Sequence, residues 1–294
     1  MITSIKCVPC ILRSTLLAAQ MASTNEAEHA EVVHKVLRLL SETDLSQTPP
    51  QVVRQIQYAI REVTGVADPF QRAKAQLNEI ALALLPKLKA QVRASSNPLY
   101  MAVRLAIAGN AMDMGAVGKM SKQDIESAVE KTLQDPFWGE FNAFEQALSQ
   151  ATSVLYLADN SGEIAFDRIL IEELLPKQVT LVVRGGPTLN DATLHDAQAV
   201  GLDRLVEVID NGFDAPGTIL DHCSPAFVKR FWDADLIIAK GQGNYETLNT
   251  VPADIFFLFK AKCEPVRDLV NQPIGTQVLI RAEKFTPQME PRNL

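Results

Sequence analysis

After residue 150 the chain settles into a strict alternation. Short runs of aliphatic and β-branched residues at 153–158, 179–184, 205–208, 235–239 and 277–281 take turns with segments of helical spacing at 162–175, 190–200, 214–220, 224–232 and 253–270. Neighbouring parallel strands need a crossover of about a dozen residues, normally a helix, so this alternation predicts an α/β fold: a mainly parallel sheet with helices on both faces. The order of the strands is not readable from the pattern.

The first half reads differently. Apolar residues at three- and four-residue spacing predict helices over 12–22, 26–43, 49–64, 68–95, 97–109, 121–134 and 139–150. Thr24 or Asn25 can cap the second, the Pro49-Pro50 break precedes the third, and Asp68-Pro69 opens the fourth. Asn110 and Gly115 flank a break after the fifth. A helical domain over 1–150 beside an α/β domain over 151–294 is the expected organisation.

Composition narrows the partners. A net charge of −7 and a pI near 5.2 argue against a general nucleic-acid surface, which needs clustered Lys and Arg. The sequence shows no run of about 18 apolar residues, so no membrane span is expected. Four cysteines in 294 residues do not make a disulfide scaffold, and a cytoplasmic setting is the default.

Four strand ends carry polar residues. The first run stops at Asp159-Asn160-Ser161-Gly162-Glu163, the second at Arg184 with Asn190-Asp191 shortly after, the third at Asp210-Asn211-Gly212, and the fourth at Lys240-Gly241-Gln242-Gly243-Asn244. Open α/β sheets bind ligands outside the carboxyl ends of their strands. Asp159, Asn160 and Asp191 can offer hard oxygen ligands to a divalent cation, and Lys240 can hold a phosphate as a point charge. Gly241 and Gly243 let backbone N–H groups approach closely. The helix start at Ser161, Gly162 and Glu163 adds donors of its own. Each stretch alone is also an ordinary cap or turn. The GQGN loop lacks the spacing of a Walker or dinucleotide fingerprint.

ADNSGEIAFDRILIEEL, RGGPTLNDAT and AKGQGNYETL, with CVPC at 7–10, DPF at 68–70 with Lys74, RLAIAGNAMDMG at 104–115 and KCEPV at 262–266, resemble the damage-control phosphatase family, a domain of unknown function (number 89), in its CxxC-bearing prokaryotic branch. The resemblance implies a helical portion beside a Rossmann-like sheet, and a metal-dependent phosphatase acting on small phosphorylated metabolites such as sugar phosphates or damaged side products. It places metal ligands on Asp159, Asn160 and Asp191, with manganese, cobalt, nickel or magnesium as the ion, and a phosphate-binding lysine on Lys240. It also implies that Asn110 and Asp113 line the pocket from the helical half. The nucleophile is either a water or Asp159.

Other readings stay open on the residues themselves. Strand-end acids also grip the ribose of S-adenosylmethionine, so a carboxyl methyltransferase is one alternative, and a non-catalytic metabolite-binding protein is another. Arg184 can pair with Asp191 or hold substrate, Glu163 and Asp196 can orient metal ligands, and Asn244 can touch phosphate or substrate hydroxyls. Cys7 and Cys10 are small half-buried residues, a redox pair, or part of a pocket. A zinc site would need Cys223 and Cys263 as well.

Overall fold

The computed structural model describes residues 1–111 and 122–282. Seven helices fill the first half or close to it: α1 (Val8–Ala22), α2 (Glu26–Glu42), α3 (Pro49–Thr64), α4 (Gln71–Ala94), α5 (Pro98–Ala108), α6 (Lys122–Gln134) and α7 (Phe141–Gln150). The sheet and its crossovers follow as β2 (Ser153–Leu157), α8 (Glu163–Leu174), β3 (Gln178–Val183), α9 (Leu194–Ala199), β4 (Glu207–Asp210), α10 (Pro225–Asp233), β5 (Leu236–Lys240), α11 (Gly241–Leu248), β6 (Ile255–Lys260), α12 (Glu264–Val270) and β7 (Gln277–Arg281). A short strand β1 (Phe137–Gly139) lies between α6 and α7.

The caps follow the sequence. Asn25 accepts from the Ala27 N–H at 3.0 Å at the start of α2. Thr48 and Gln51 form a capping box ahead of Pro49-Pro50. Asp68 accepts from the Phe70 N–H at 2.9 Å at the entrance to α4.

The seven strands lie in the order β1-β7-β6-β5-β2-β3-β4. Every neighbouring pair is parallel except β6 and β7. The chain moves outward from β2 through β3 to β4, and in the other direction from β5 to β6. The direction therefore reverses between β2 and β5, where their carboxyl ends leave a crevice for a ligand.

Side chains alternate across this sheet. Val154, Tyr156, Leu181, Ile238, Phe256 and Leu258 join one continuous core with α1–α5, α7 and α8. Leu155, Leu157, Val182, Ile237, Ala239 and Phe257 join a second core with α10, α11 and α12. Both faces are thus covered, as the alternation predicted.

Three expectations are corrected. The helix expected over 253–270 is strand β6, a turn, and the short α12. IFFLFK is buried on both faces of the sheet, so it shows no period-two signature and reads as helix by its apolar content alone. The helix expected over 214–220 is a loop turned by Pro216 and by Gly217 at φ +75°. Finally, Ile5–Ala22 is long and apolar enough to cross a membrane by length and composition, although no such stretch was expected. Here its residues Ile11, Thr15, Ala18 and Ala19 are buried in the protein core.

Candidate active site

Asp159 and Asn160 leave the end of β2, and a second loop folds back over them. The Ala192 N–H donates to the Asp159 carbonyl at 2.8 Å and the Ser161 N–H to the Asn190 carbonyl at 2.9 Å. Asn160 and Asp191 thereby form an isolated antiparallel bridge. Residues 31 positions apart become backbone neighbours in this way, and Leu189 takes a left-handed φ of +43° to make the turn. A left-handed conformation at a bulky apolar residue is a strained one.

Beneath these loops lies a closed network. Glu163 Oε2 accepts from Asn110 Nδ2 at 2.7 Å and Asn160 Nδ2 at 2.9 Å. The same two amides donate to Asp159 Oδ2, at 3.1 and 2.7 Å. With its NH₂ group committed to carboxylates, Asn160 keeps its carbonyl oxygen for another partner. Arg184 Nε donates to Asp191 Oδ2 at 2.7 Å, the ion pair open from the sequence, and its Nη2 lies 3.9 Å from Asp159 Oδ1. That Nη2 is buried with no hydrogen-bond partner among the described residues.

Lys240 sits where β5 ends, but its side chain is fully buried. Its Nζ donates to Glu163 Oε1 at 2.7 Å, Asp167 Oδ1 at 2.5 Å and the Ala106 carbonyl at 2.9 Å. An ammonium has three protons, and all three are used. A phosphate reaching Lys240 would have to displace a carboxylate. Tyr156 donates its hydroxyl to Asp167 at 2.8 Å, which extends the network below the sheet.

Several other expected phosphate contacts are also committed within the protein. The Ser161 N–H meets Asn190, and the Gly162 N–H donates to Asn78 Oδ1 at 2.6 Å. Asn244 is fully buried, donates to the Lys240 carbonyl at 2.8 Å and accepts from Thr218 at 2.8 Å. Glu163 orients Asn160 and Asn110 and does not face the cavity. Gly241 contributes by its missing side chain: at φ +80°, a Cβ there would fall 2.0 Å from Asp159 Oδ2. Asp113 lies outside the described residues.

Asp159, Asn160 and Asp191 open onto one cavity of about 250 Å³, walled also by Gln242, Gly243, Glu246 and Lys262. Lys262 is the cation sequence reasoning missed. It follows β6, and that strand had been read as helix, so its strand-end position was hidden. The charge of Lys262 acts to lower the Asp159 pKa. Cys7, Cys10 and Cys263 line an adjoining chamber of about 290 Å³ that shares Leu189, Gln242, Glu246 and Lys262 with the first. All four cysteines are free thiols. Burial pushes the Cys7 and Cys263 thiols up.

The electrostatics leave a clear imbalance. Asp159, Glu163, Asp167 and Asp191 are buried carboxylates, and the buried cations among them are Lys240 and Arg184. Burial first, then repulsion from Glu163 and Asp191, pushes the Asp159 carboxyl well above its usual range, while Arg184 and Lys262 pull it back. Asp191 is raised by burial against the opposing pull of Arg184. Two buried negative charges remain in excess, an arrangement that favours proton uptake or a divalent cation. Among the described residues no three Asp, Glu, His or Cys groups converge on one point. The donor set is two carboxylates and an amide oxygen, hard ligands that suit an ion keeping part of its water shell.

A family model described as "Damage-control phosphatase ARMT1-like domain" matches residues 3–278. The chain belongs to this family. It is 34% identical, over 94% of both chains, to an uncharacterized protein of Methanocaldococcus jannaschii. It is also 34% identical to a damage-control phosphatase of Archaeoglobus fulgidus, over 92% of this chain and 96% of that one. A crystal structure of a DUF89 family protein from Pyrococcus horikoshii superposes with a TM-score of 0.86 at 32% identity, covering 96% of this chain and all of the other.

Proposed function

We propose that the chain is a divalent-metal-dependent phosphatase that hydrolyses phosphomonoesters of small metabolites, such as sugar phosphates or damaged side-product phosphometabolites. The excess of buried negative charge at a switch-point cavity carries this reading, and membership of a family named for phosphatases supports it. Asp159, the free carbonyl oxygen of Asn160, and Asp191 would hold manganese, cobalt, nickel or magnesium. Bound there, such an ion supplies charge neutralisation at phosphate oxygens and a more acidic water.

The protein's own groups do the rest. Lys262 lines the cavity as a point charge for the remaining phosphate oxygens. Gln242 and Gly243 line the wall from the first turn of α11, where N–H groups lack helical acceptors. Asn110, Glu163 and Arg184 hold Asp159, Asn160 and Asp191 in register. Lys240 lies beneath them as the counter-ion of Glu163 and Asp167.

The test is a panel of phosphomonoesters assayed with each of the four metals, on wild type and Asp159→Ala. Metal-dependent hydrolysis that disappears in the variant is expected. Equal activity in the two proteins would remove Asp159 from the site, and an aspartyl-phosphate trapped on Asp159 during turnover would exclude direct attack by water.

A further inference from the structure

One buried acid next to the cavity has no part in the scheme above. Glu246 lies on α11, one helical turn beyond Gln242, and is only 7% exposed. The residue lines both the 250 Å³ cavity of Asp159 and Asp191 and the 290 Å³ chamber. The chamber is closed mainly by carbon and sulfur, with Cys7, Cys10, Ile11, Val53 and Ile56 along its sides. Glu246 therefore lies between the compartment that holds Asp159, Asn160 and Asp191 and a largely apolar one.

A phosphomonoester has the same division. Its phosphoryl group is polar and its alcohol carries the carbon body, and the bridging oxygen lies between them. Placing the phosphoryl group beside Asp159 and Asp191 and the carbon body in the chamber sets the bridging oxygen between the two, where Glu246 lies. The geometry points to Glu246 as the general acid that protonates this leaving oxygen, and narrows the phosphomonoesters proposed above from sugar phosphates to esters of alcohols bearing an apolar body. This assignment rests on the phosphatase reading of the neighbouring cavity.

The balance is simple. The phosphorus–oxygen bond to the alcohol breaks, and the departing oxygen keeps the electron pair and takes the Glu246 proton. Water supplies the new phosphorus–oxygen bond, and a proton released from that water to solvent restores Glu246. The net change is ester plus water to alcohol plus phosphate.

The surroundings of Glu246 fit the role. Gln242 Nε2 donates to Oε1 at 2.8 Å and also to Cys263 Sγ at 3.4 Å. No donor among the described residues reaches Oε2. Facing groups are the Met1 ammonium, whose nitrogen donates to the Glu246 carbonyl, Cys7, Cys10 and Cys263 in the chamber, and Lys6 and Lys262 at its rim. Burial raises the Glu246 carboxyl to about 7, against the lowering pulls of Gln242 and the Met1 ammonium. An acid is most effective with its pKa near the working pH.

Leaving-group dependence tests the assignment. Glu246→Gln keeps the shape and the Gln242 contact but has no proton to give. Its kcat/KM for alkyl phosphates should fall by about 10²–10⁴. The value for p-nitrophenyl phosphate, whose phenolate departs without a proton, should be nearly unchanged. An equal loss on both ester types, or no loss on alkyl esters, overturns the role. A wild-type protein inactive on every ester with every metal overturns the phosphatase reading instead, and this one with it. If Glu246→Gln fails to fold, the wild-type ratio of alkyl to aryl kcat/KM carries the test: it should decline as pH rises through about 7, and a flat ratio refutes the proposal.

Discussion

Lys240→Met asks whether the lysine at the end of β5 holds ligand or holds the fold. The substitution keeps much of the volume and removes the charge from between Glu163 and Asp167, both within 2.7 Å of Nζ. Removing one partner of a buried ion pair costs about 3–5 kcal/mol. With an unfolding entropy of roughly 2.1 cal/mol/K per residue, a chain of 294 residues should lose about 5–8 °C in Tm.

The loss should depend on pH in a defined direction. Burial already pushes the Asp167 carboxyl to about 6, although Lys240 pulls it down. A carboxyl whose folded pKa is raised takes up its proton in the folded chain first, so stability increases as pH falls from the folded value toward the unfolded value near 4. Without Lys240 the folded value rises further. The Tm difference should therefore be largest at pH 7 and above and should narrow as pH falls toward about 4. Thermal melts by circular dichroism across that range measure it, and Lys240→Met combined with Asp167→Leu should recover most of the loss. A variant that melts with wild type at every pH, yet binds inorganic phosphate much more weakly, would refute the reasoning and restore Lys240 as the phosphate ligand.

Further outcomes follow from the same geometry. Asp159→Asn should raise the Tm of the metal-free protein, because it removes one of the crowded buried charges, and should abolish the stabilisation by manganese that wild type shows, about 2.7 kcal/mol at 100 times Kd; thermal melts with and without the ion read both signs. Gly241→Ala places a Cβ 2.0 Å from Asp159 Oδ2 at a φ of +80°; it should cost about 1–2 kcal/mol for the backbone alone and weaken manganese binding measured by calorimetry. Lys262→Ala should leave Tm unchanged, since the side chain is exposed, and should weaken competitive inhibition by inorganic phosphate about tenfold, roughly the 1.5 kcal/mol of one charged hydrogen bond.

How much was legible depended on the distance over which each signal acts. Asp159-Asn160 and Asp191 announce themselves because each interrupts a local pattern, an apolar run ending in oxygen ligands. Lys240 was legible as a strand-end lysine but not as a buried counter-ion, since Glu163 and Asp167 lie more than 70 residues earlier and point at it from one face of α8. Lys262 was hidden by a local error. The strand before it, IFFLFK, is apolar on both faces and resembles a helical segment when met in one dimension. Three-residue β1 is too short to leave any period. The partners of Asn110 are 49 and 53 residues away, and nothing in its own neighbourhood foretells them.

The excess of carboxylate beneath the loops has a consequence for the life of the protein as well as for its turnover. A chain that needs a cation to settle its interior is less stable whenever that cation is scarce, and opened chains are the ones proteases remove. On the proposed reading, metal starvation would thin the population of molecules before it slowed the survivors. The amount of this protein in a cell would then record the supply of its ion.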